Sequence, residues 1–313
     1  VSIKDQVQKV IPVSLERAVR NYVYARNCRL EPSQYRKALE NWYRFSKGDD
    51  PHLDDPQSLG EKLQWLKLYD ATPEKGRLAD KYLVRAWVSE KIGERYLVPI
   101  LGVWSRAKDI PWNELPNRFV LKATHGSGWN VVVKDKSKLD VAETEKTLDR
   151  WLERRMAMSG GFELHYEFCE PRIIAEEYME DSSGGLRDYK FITIGGQVQF
   201  ILAIQGRFTG EESGTYMPDW EPAPFRYGYR VGIEGEIPRP SQLDEMVELA
   251  QRLGSEFPFA RVDFYEVCGR VYFGEITFTD ANGLSSFEPP HYDLEYGRKL
   301  RLPEKKPFKG EVL

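Results

Sequence analysis

The chain has 313 residues, with 45 Lys and Arg against 49 Asp and Glu, a formal charge of −4, and 41% hydrophobic content. That composition suits a folded protein with ample material for a core, as one large domain or two to three smaller ones, and its acidic balance argues against generic binding to duplex nucleic acid. No stretch approaches the roughly 18 to 20 apolar residues of a membrane span, and the opening VSIKDQVQKV lacks a signal-peptide hydrophobic region; the expectation is a cytoplasmic protein with no integral membrane segment.

Residues 14 to 48 place apolar and aromatic side chains at helical spacing. SLGEKLQWLKLYD continues this with Leu59, Leu63, Leu66 and Tyr69 on one face, so the first 75 residues read as mainly helical. ADKYLVRAWVSEKIG, 79 to 93, reads as a further amphipathic helix closed by Gly93, followed by the strand YLVPILGVW. From 117 strands take over: NRFVLKATHGSGWNVVVKD is a strand, a Gly-rich turn and a second strand. Residues 140 to 159 form a charged helix with Leu148, Leu152 and Met156 on a common face. PRIIAEEYMED is a short strand, and LRDYKFITIGGQVQFILAIQGRF is two strands about Gly195-Gly196. SQLDEMVELAQRLGSEF is a helix, and FARVDFYEVCGRVYFGEITF is a hairpin joined at VCGR. The class is α+β. Cys28, Cys169 and Cys268 follow no paired spacing and read as reduced, structural thiols.

Chemistry concentrates in that last hairpin. Asp263 and Glu275 sit inside apolar runs, where a carboxylate is costly unless a cation meets it, and Arg261 shares the strand face of Asp263. Facing carboxylates repel; a divalent cation bridging them to phosphate oxygens would compensate, and a structural Arg–Asp–Glu network is the alternative. In KATHGSGWN, Gly126 and Gly128 let backbone amides turn toward an anion, with Lys122 adding charge, although the same glycines also serve a plain hairpin turn. The full P-loop and dinucleotide fingerprints are absent. Asp188 and Lys190 share a strand face, as an ordinary ion pair also would. His125 is either a phosphate or acceptor contact or a local hydrogen-bonding residue. His291 and Asp293 are candidate pocket residues, and His52 and His165 form no metal cluster with them. Trp104, Trp112 and Trp129 offer sugar-stacking surface or core, and the basic stretch from Tyr22 to Gly48 offers charge to an anionic saccharide.

The order of these features resembles the ATP-grasp superfamily, and most closely its TupA-like branch, named for a teichuronopeptide biosynthesis protein. The resemblance is carried by EKLQWLKLYD, DKYLVRAWVSEKIGERYLVPILGVW, FVLKATHGSG, PRIIAEEYM, DYKFITIGG, RVDFY, YFGEITFTDANG and HYDLEYGRKL, over about residues 58 to 300. It implies an ATP-grasp fold of two α+β subdomains at 76–305, with a helical N-terminal extension at 1–75 and a tail at 306–313. ATP would lie between the subdomains. Lys81 and Lys122 look like the basic residues that approach its phosphates, and Gly126, Ser127 and Gly128, with His125, like the loop that covers them. Glu176, Glu177, Tyr178 and Met179 look like the adenine and ribose hinge, with the roles of the two acids open. Lys190 joins the nucleotide-binding set, and Arg261, Lys122 and Lys190 are the catalytic candidates.

Asp263 and Glu275 match the magnesium ligands. The family's usual Asn two residues after this Glu is replaced by Thr277, so Thr277, Asp280 or Asn282 would complete the metal site. The implied reaction is Mg-ATP-dependent joining of an acidic surface-polysaccharide carboxylate, such as a uronic acid, to an amino acid or related amine. It would pass through an acyl phosphate and release ADP and phosphate. A kinase acting on a sugar or lipid hydroxyl and a noncatalytic glycan-binding module are the competing classes.

Overall fold

Capping residues set the boundaries of the N-terminal helices. In the computed structural model, which describes residues 13–181, 185–206, 210–228, 233–311 and 313, helices α1 (Val13–Asn27), α2 (Tyr35–Lys47) and α3 (Leu59–Tyr69) come first. The Ser58 hydroxyl accepts from the Glu61 amide and the Glu61 carboxylate accepts from the Ser58 amide, a reciprocal box that starts α3. Helix α4 (Pro73–Ala79) is capped by Thr72. Asp80 then stops it, because its carboxylate accepts from the amides of Tyr82 (2.8 Å) and Leu83 (2.9 Å) before α5 (Val84–Lys91) begins. The helix expected over 79–93 therefore begins only at Val84, and Lys81 occupies the turn between α4 and α5.

Strands β1 (Ile100–Trp104), β2 (Phe119–Ala123), β3 (Asn130–Val133) and β4 (Ile173–Glu177) form an antiparallel sheet of order β1-β4-β2-β3, backed by α6 (Val141–Leu152). Helix α6 ends earlier than its periodicity suggests. The Arg154 amide bonds to the Trp151 carbonyl, tightening the last turn, and Met156 lies in a separate 3-10 segment. Phe119, Leu121, Leu148, Ile173 and Ala175 make this core, with Trp104, Trp112 and Trp129 packed around it. Trp112 Nε1 donates to Glu145 (2.8 Å), and Trp129 stacks with Trp151. These tryptophans are packing residues of the small sheet.

The larger sheet holds β5 (Asp188–Ile194), β6 (Gln197–Gln205), β7 (Glu212–Tyr216), β9 (Ile233–Glu234), β10 (Phe259–Val267) and β11 (Arg270–Thr277), in the order β11-β10-β5-β6-β7-β9. A two-stranded ribbon of β8 (Arg226–Gly228) and β12 (Ser286–Glu288) lies apart from it. Helix α7 (Leu243–Gly254) and α5 cover one face through Phe191, Ile201, Val262, Phe264, Phe273 and Ile276. On the other face Ile192, Ile194, Phe200, Leu202 and Phe259 meet α3, the ribbon and α8 (His291–Lys299). The tail joins this second core: the Lys306 amide bonds to the Tyr69 carbonyl (2.7 Å), and Phe308 is buried against Tyr35 and Phe168. The three cysteines are free, and among the described residues no helix is long and apolar enough to cross a membrane.

Helix α8 approaches α3 so closely that only glycine fits between them. A Cβ on Gly297 would lie 2.1 Å from the Gln57 carbonyl oxygen and 2.7 Å from the Ser58 carbonyl carbon. Gly297→Ala gains about 1 kcal/mol in helix propensity, yet it should destabilise the protein by roughly 1–3 kcal/mol through overpacking against backbone. A urea titration that instead showed a higher unfolding midpoint for the variant would contradict this close packing.

Candidate active site

A one-residue irregularity in β11 assembles the carboxylates. Outside it, Phe273 pairs with Phe264 and Val271 with Glu266; inside it, Glu275 pairs with Asp263 and Thr277 with Arg261, so Gly274 is the extra residue of a bulge. The shift reverses the parity of β11. Val271 and Phe273 face the α7 core, and after Gly274 it is Ile276 that does so, which turns Glu275 and Thr277 to the opposite face beside Asp263 and Arg261. A Cβ on Gly274 would come within 3.2 Å of the Asp263 carbonyl oxygen. On the other flank Asp263 pairs with Lys190 of β5, so three adjacent strands set Lys190, Asp263 and Glu275 in one row.

The Arg261 guanidinium ties this row together. Its Nε donates to Asp263 Oδ1 (2.7 Å), its Nη2 to Asp263 Oδ2 (2.8 Å) and Glu275 Oε1 (2.5 Å), and its Nη1 to Asp280 Oδ1 (2.7 Å). Lys190 Nζ donates to Asp263 Oδ2. Asp280 Oδ2 accepts from the Tyr227 hydroxyl (2.7 Å) and the Ser285 hydroxyl (3.0 Å). Above the row, Lys81 Nζ donates to the Gly126 carbonyl (2.6 Å) and stands 3.8 Å from Glu275 Oε2, linking the Gly-rich loop to the large sheet. Lys122 Nζ lies 2.6 Å from Glu176 Oε2, and Arg85 Nη1 lies 3.8 Å from Glu176 Oε1. Five cations thus converge on Glu176, Asp263, Glu275 and Asp280, an arrangement suited to an anionic ligand.

A cavity of about 460 Å3 opens beside the row between the two sheets. Its walls include Lys122, Asn130, Glu176, Glu177, Tyr178, Met179, Asp188 and Tyr265, and its lining stops short of Arg261, Asp263 and Glu275. Volume and location suit a nucleotide-sized molecule whose charged end reaches the row. The hinge acids separate here: Glu176 is buried on Lys122 and Arg85, whereas Glu177 is exposed with its amide bonded to the Pro99 carbonyl (3.1 Å). The Tyr178 ring carries the Arg118 guanidinium at 4.1 Å.

Other candidates fall away from the row. The His125 ring is buried: Nε2 donates to the Trp151 carbonyl (2.9 Å), Nδ1 has no partner among the described residues, and burial holds its pKa below the ordinary value. Ser127 and Gly128 are exposed at the loop tip. Asn282 is engaged from behind, its Oδ1 accepting from Lys67 (2.8 Å) and its Nδ2 donating to the Gly160 carbonyl (3.0 Å). Asp293 caps the start of α3 through the Gly60 amide, His52 meets Glu61 (2.8 Å), and His291 lies against Tyr292. Burial drives the His165 pKa down to about 3. Sequence reasoning did not single out Arg85, Tyr227, Ser285 or the buried Lys67, whose pKa burial lowers to about 7. Of these only Lys67 left a trace, as a charge inside the apolar run of α3.

Glu275 and Asp263 offer oxygen donors of the kind a magnesium ion takes. They pair in register on adjacent strands, and apart from Lys81 at 3.8 Å no group meets Glu275 Oε2 among the described residues. Asp263 has both oxygens engaged by Arg261 and Lys190, and Thr277 Oγ1 lies 3.4 Å from Glu275 Oε1. Among the described residues no group of three His, Cys, Asp or Glu is arranged to hold a metal, so phosphate and water oxygens would supply the remaining ligands.

Burial alone would raise the Glu275 pKa, but the charges of Lys81, Arg261, Lys190 and Lys122 bring it from 4.5 to about 2. A folded-state pKa below the unfolded value contributes stability at pH above 4.5 that is lost as pH falls toward about 2. Glu275→Gln should therefore flatten the dependence of unfolding free energy on pH across that window; an unchanged acid-side slope in urea titrations would contradict the ionised, cation-held carboxylate.

The TupA-like ATPgrasp family matches residues 61–301, and no curated protein matches the chain. Solved structures similar to it include D-alanine–D-alanine ligase from Bacillus anthracis, at 17% identity over 64% of this chain and 56% of that one, with a TM-score of 0.39. D-Alanine–D-alanine ligase from Helicobacter pylori is 16% identical over 72% and 61%, with a TM-score of 0.39. The ATP-grasp ligase PsnB complexed with minimal precursor is 12% identical over 67% and 54%, with a TM-score of 0.38. The chain spans between about half and three fifths of the length of these proteins. Matched over most of its length, the protein belongs to the TupA-like family of ATP-grasp enzymes, and its α+β architecture is the ATP-grasp fold.

Proposed function

We propose that the protein is a Mg-ATP-dependent carboxylate–amine ligase that joins a carboxylate of an acidic surface polysaccharide to an amino acid or related amine. The observation that carries this reading is the row of Lys190, Arg261, Asp263 and Glu275, with Lys81 and Lys122 beside it, in a chain of the TupA-like family. A substrate carboxylate oxygen attacks the terminal phosphorus of ATP, and the bond from that phosphorus to the ADP oxygen breaks. The amine nitrogen then attacks the acyl carbon, the carbon–oxygen bond to phosphate breaks, and the nitrogen's proton leaves with the phosphate. No protein nucleophile is required.

Within this reading Lys81, Lys122, Lys190 and Arg261 are cations that meet the charge gathering on the transferred phosphoryl group. A magnesium ion held by Glu275 and Asp263 would draw charge from the phosphate oxygens. The walls at Glu176, Glu177, Tyr178 and Met179 would seat the base and ribose, and the backbone of Gly126, Ser127 and Gly128 would close over the phosphates. His125 takes part through that loop's backbone, since its ring is committed to Trp151.

Gly128 adopts a φ of 73°, and a Cβ there would meet nothing within 4 Å, so the strain on a valine comes first from its backbone. Gly128→Val should lower turnover on the order of tenfold by holding the loop out of its productive shape, with the unfolding midpoint little changed. Steady-state rates equal to those of the unaltered protein would make the loop a plain hairpin turn.

Incubation with Mg-ATP, uronic acids or acidic oligosaccharides and nitrogen-labelled amines should yield ADP, phosphate and a labelled amide by mass spectrometry. With hydroxylamine in place of the amine, the activated carboxylate should appear as a hydroxamate. Phosphate found on a sugar or lipid hydroxyl, with neither amide nor hydroxamate, would identify a kinase, and saccharide binding without ATP consumption would identify a glycan-binding module.

A further inference from the structure

We propose that Asp280 is a positioning residue that aims Arg261, leaving one N–H of the guanidinium directed at the terminal phosphate of the nucleotide. The inference rests on Arg261 facing that phosphate, as the proposed function has it. A guanidinium has five N–H groups. Arg261 commits one on Nε and two on Nη2 to Asp263 and Glu275, and one on Nη1 to Asp280, so the second hydrogen of Nη1 is the one without a partner among the described residues. Because the group is planar, the Asp280 bond on Nη1, together with those to Asp263 and Glu275, fixes where that last hydrogen points.

Asp280 is itself held on every side. It is 3% exposed, and its second oxygen takes two hydroxyl donors, Tyr227 from β8 and Ser285 from the chain just beyond. Its own segment passes through two consecutive left-handed residues, Ala281 (φ 44°) and Asn282 (φ 61°). Behind them Lys67 grips the Asn282 carbonyl (3.0 Å) and side chain (2.8 Å). Burial would favour a neutral acid here, but the Arg261 charge and the bonds from Arg261, Tyr227 and Ser285 keep the pKa below the ordinary value. With three donors on its two oxygens, this carboxylate is engaged in orienting a neighbour.

The test compares affinities of the full chain for two nucleotides with magnesium, AMPPNP and ADP, by calorimetry, which needs no acceptor substrate. Asp280→Asn should weaken AMPPNP about tenfold, the scale of one misdirected charged hydrogen bond, and leave ADP unchanged. Tyr227→Phe and Ser285→Ala, milder changes at the far oxygen, should shift the same ratio less and add nothing once Asp280→Asn is present. Equal loss for both nucleotides in these milder variants would reduce Asp280 to a packing role, and an unchanged ratio in every variant would overturn the proposal. Arg261→Ala separates the two layers. If it changes the AMPPNP-to-ADP ratio and the Asp280, Tyr227 and Ser285 variants do not, positioning alone fails; if it leaves the ratio unchanged, the reading of Arg261 fails and the proposal with it.

Discussion

The rest of the structure is organised around one buried cation that must be satisfied. Arg261 is 9% exposed, and it is tolerated there because Asp263, Glu275 and Asp280 all meet it. Removing one member of such a network leaves an uncompensated buried charge, at a cost of about 3–5 kcal/mol. Each partner adds a structural demand: Asp263 needs β10, Glu275 needs the bulge at Gly274, and Asp280 needs Tyr227 on the ribbon. The bulge, the ribbon and the left-handed turn after Asp280 are therefore parts of one electrostatic solution.

The same solution gives the cleft its sign. The carboxylates would repel one another if left alone, and Lys81, Lys122, Lys190 and Arg85 join Arg261 in offsetting them. These cations sit on both sheets, on the turn between α4 and α5 and on α5 itself, so an anion entering the cleft would meet charge from each side. Desolvation by the surrounding walls strengthens each of these attractions. The 460 Å3 cavity beside them adds apolar wall from Val98, Val120, Val132 and Met179 among its charged residues, which is how a site can hold a polyanion at one end and a flat ring at the other.

Much of this was legible in the residues. Arg261, Asp263 and Glu275 stood out as charges in apolar runs, and even the bulge is written there, since the apolar positions move from Val271 and Phe273 to Ile276 and Phe278 across Gly274. Lys81 was found but assigned to a helix, because an Asp in the first turn of the expected 79–93 pattern reads as a helical surface residue until its capping bonds to Tyr82 and Leu83 are seen. The role of Asp280 was out of reach. Its partner Tyr227 belongs to a three-residue strand, too short for alternation to mark, paired with another that lies far along the chain. The histidines and tryptophans left two readings open for a common reason: amphipathic rings suit a core as well as a pocket, and composition does not distinguish the two.

Sequence separation adds a kinetic side to the Arg261 network. Its three carboxylate partners lie 2, 14 and 19 positions away, so the loops that must close to form it are short and their entropic cost is small. Lys190 is 73 positions from Asp263, and Lys81 and Lys122 lie still farther toward the N-terminus. The acidic clasp is thus a low-contact-order element, while the lysines depend on docking two sheets. A nascent chain has made Lys81, Lys122 and Lys190 before the first carboxylate of the clasp is synthesised, and the last hairpin to emerge is the one that gathers them.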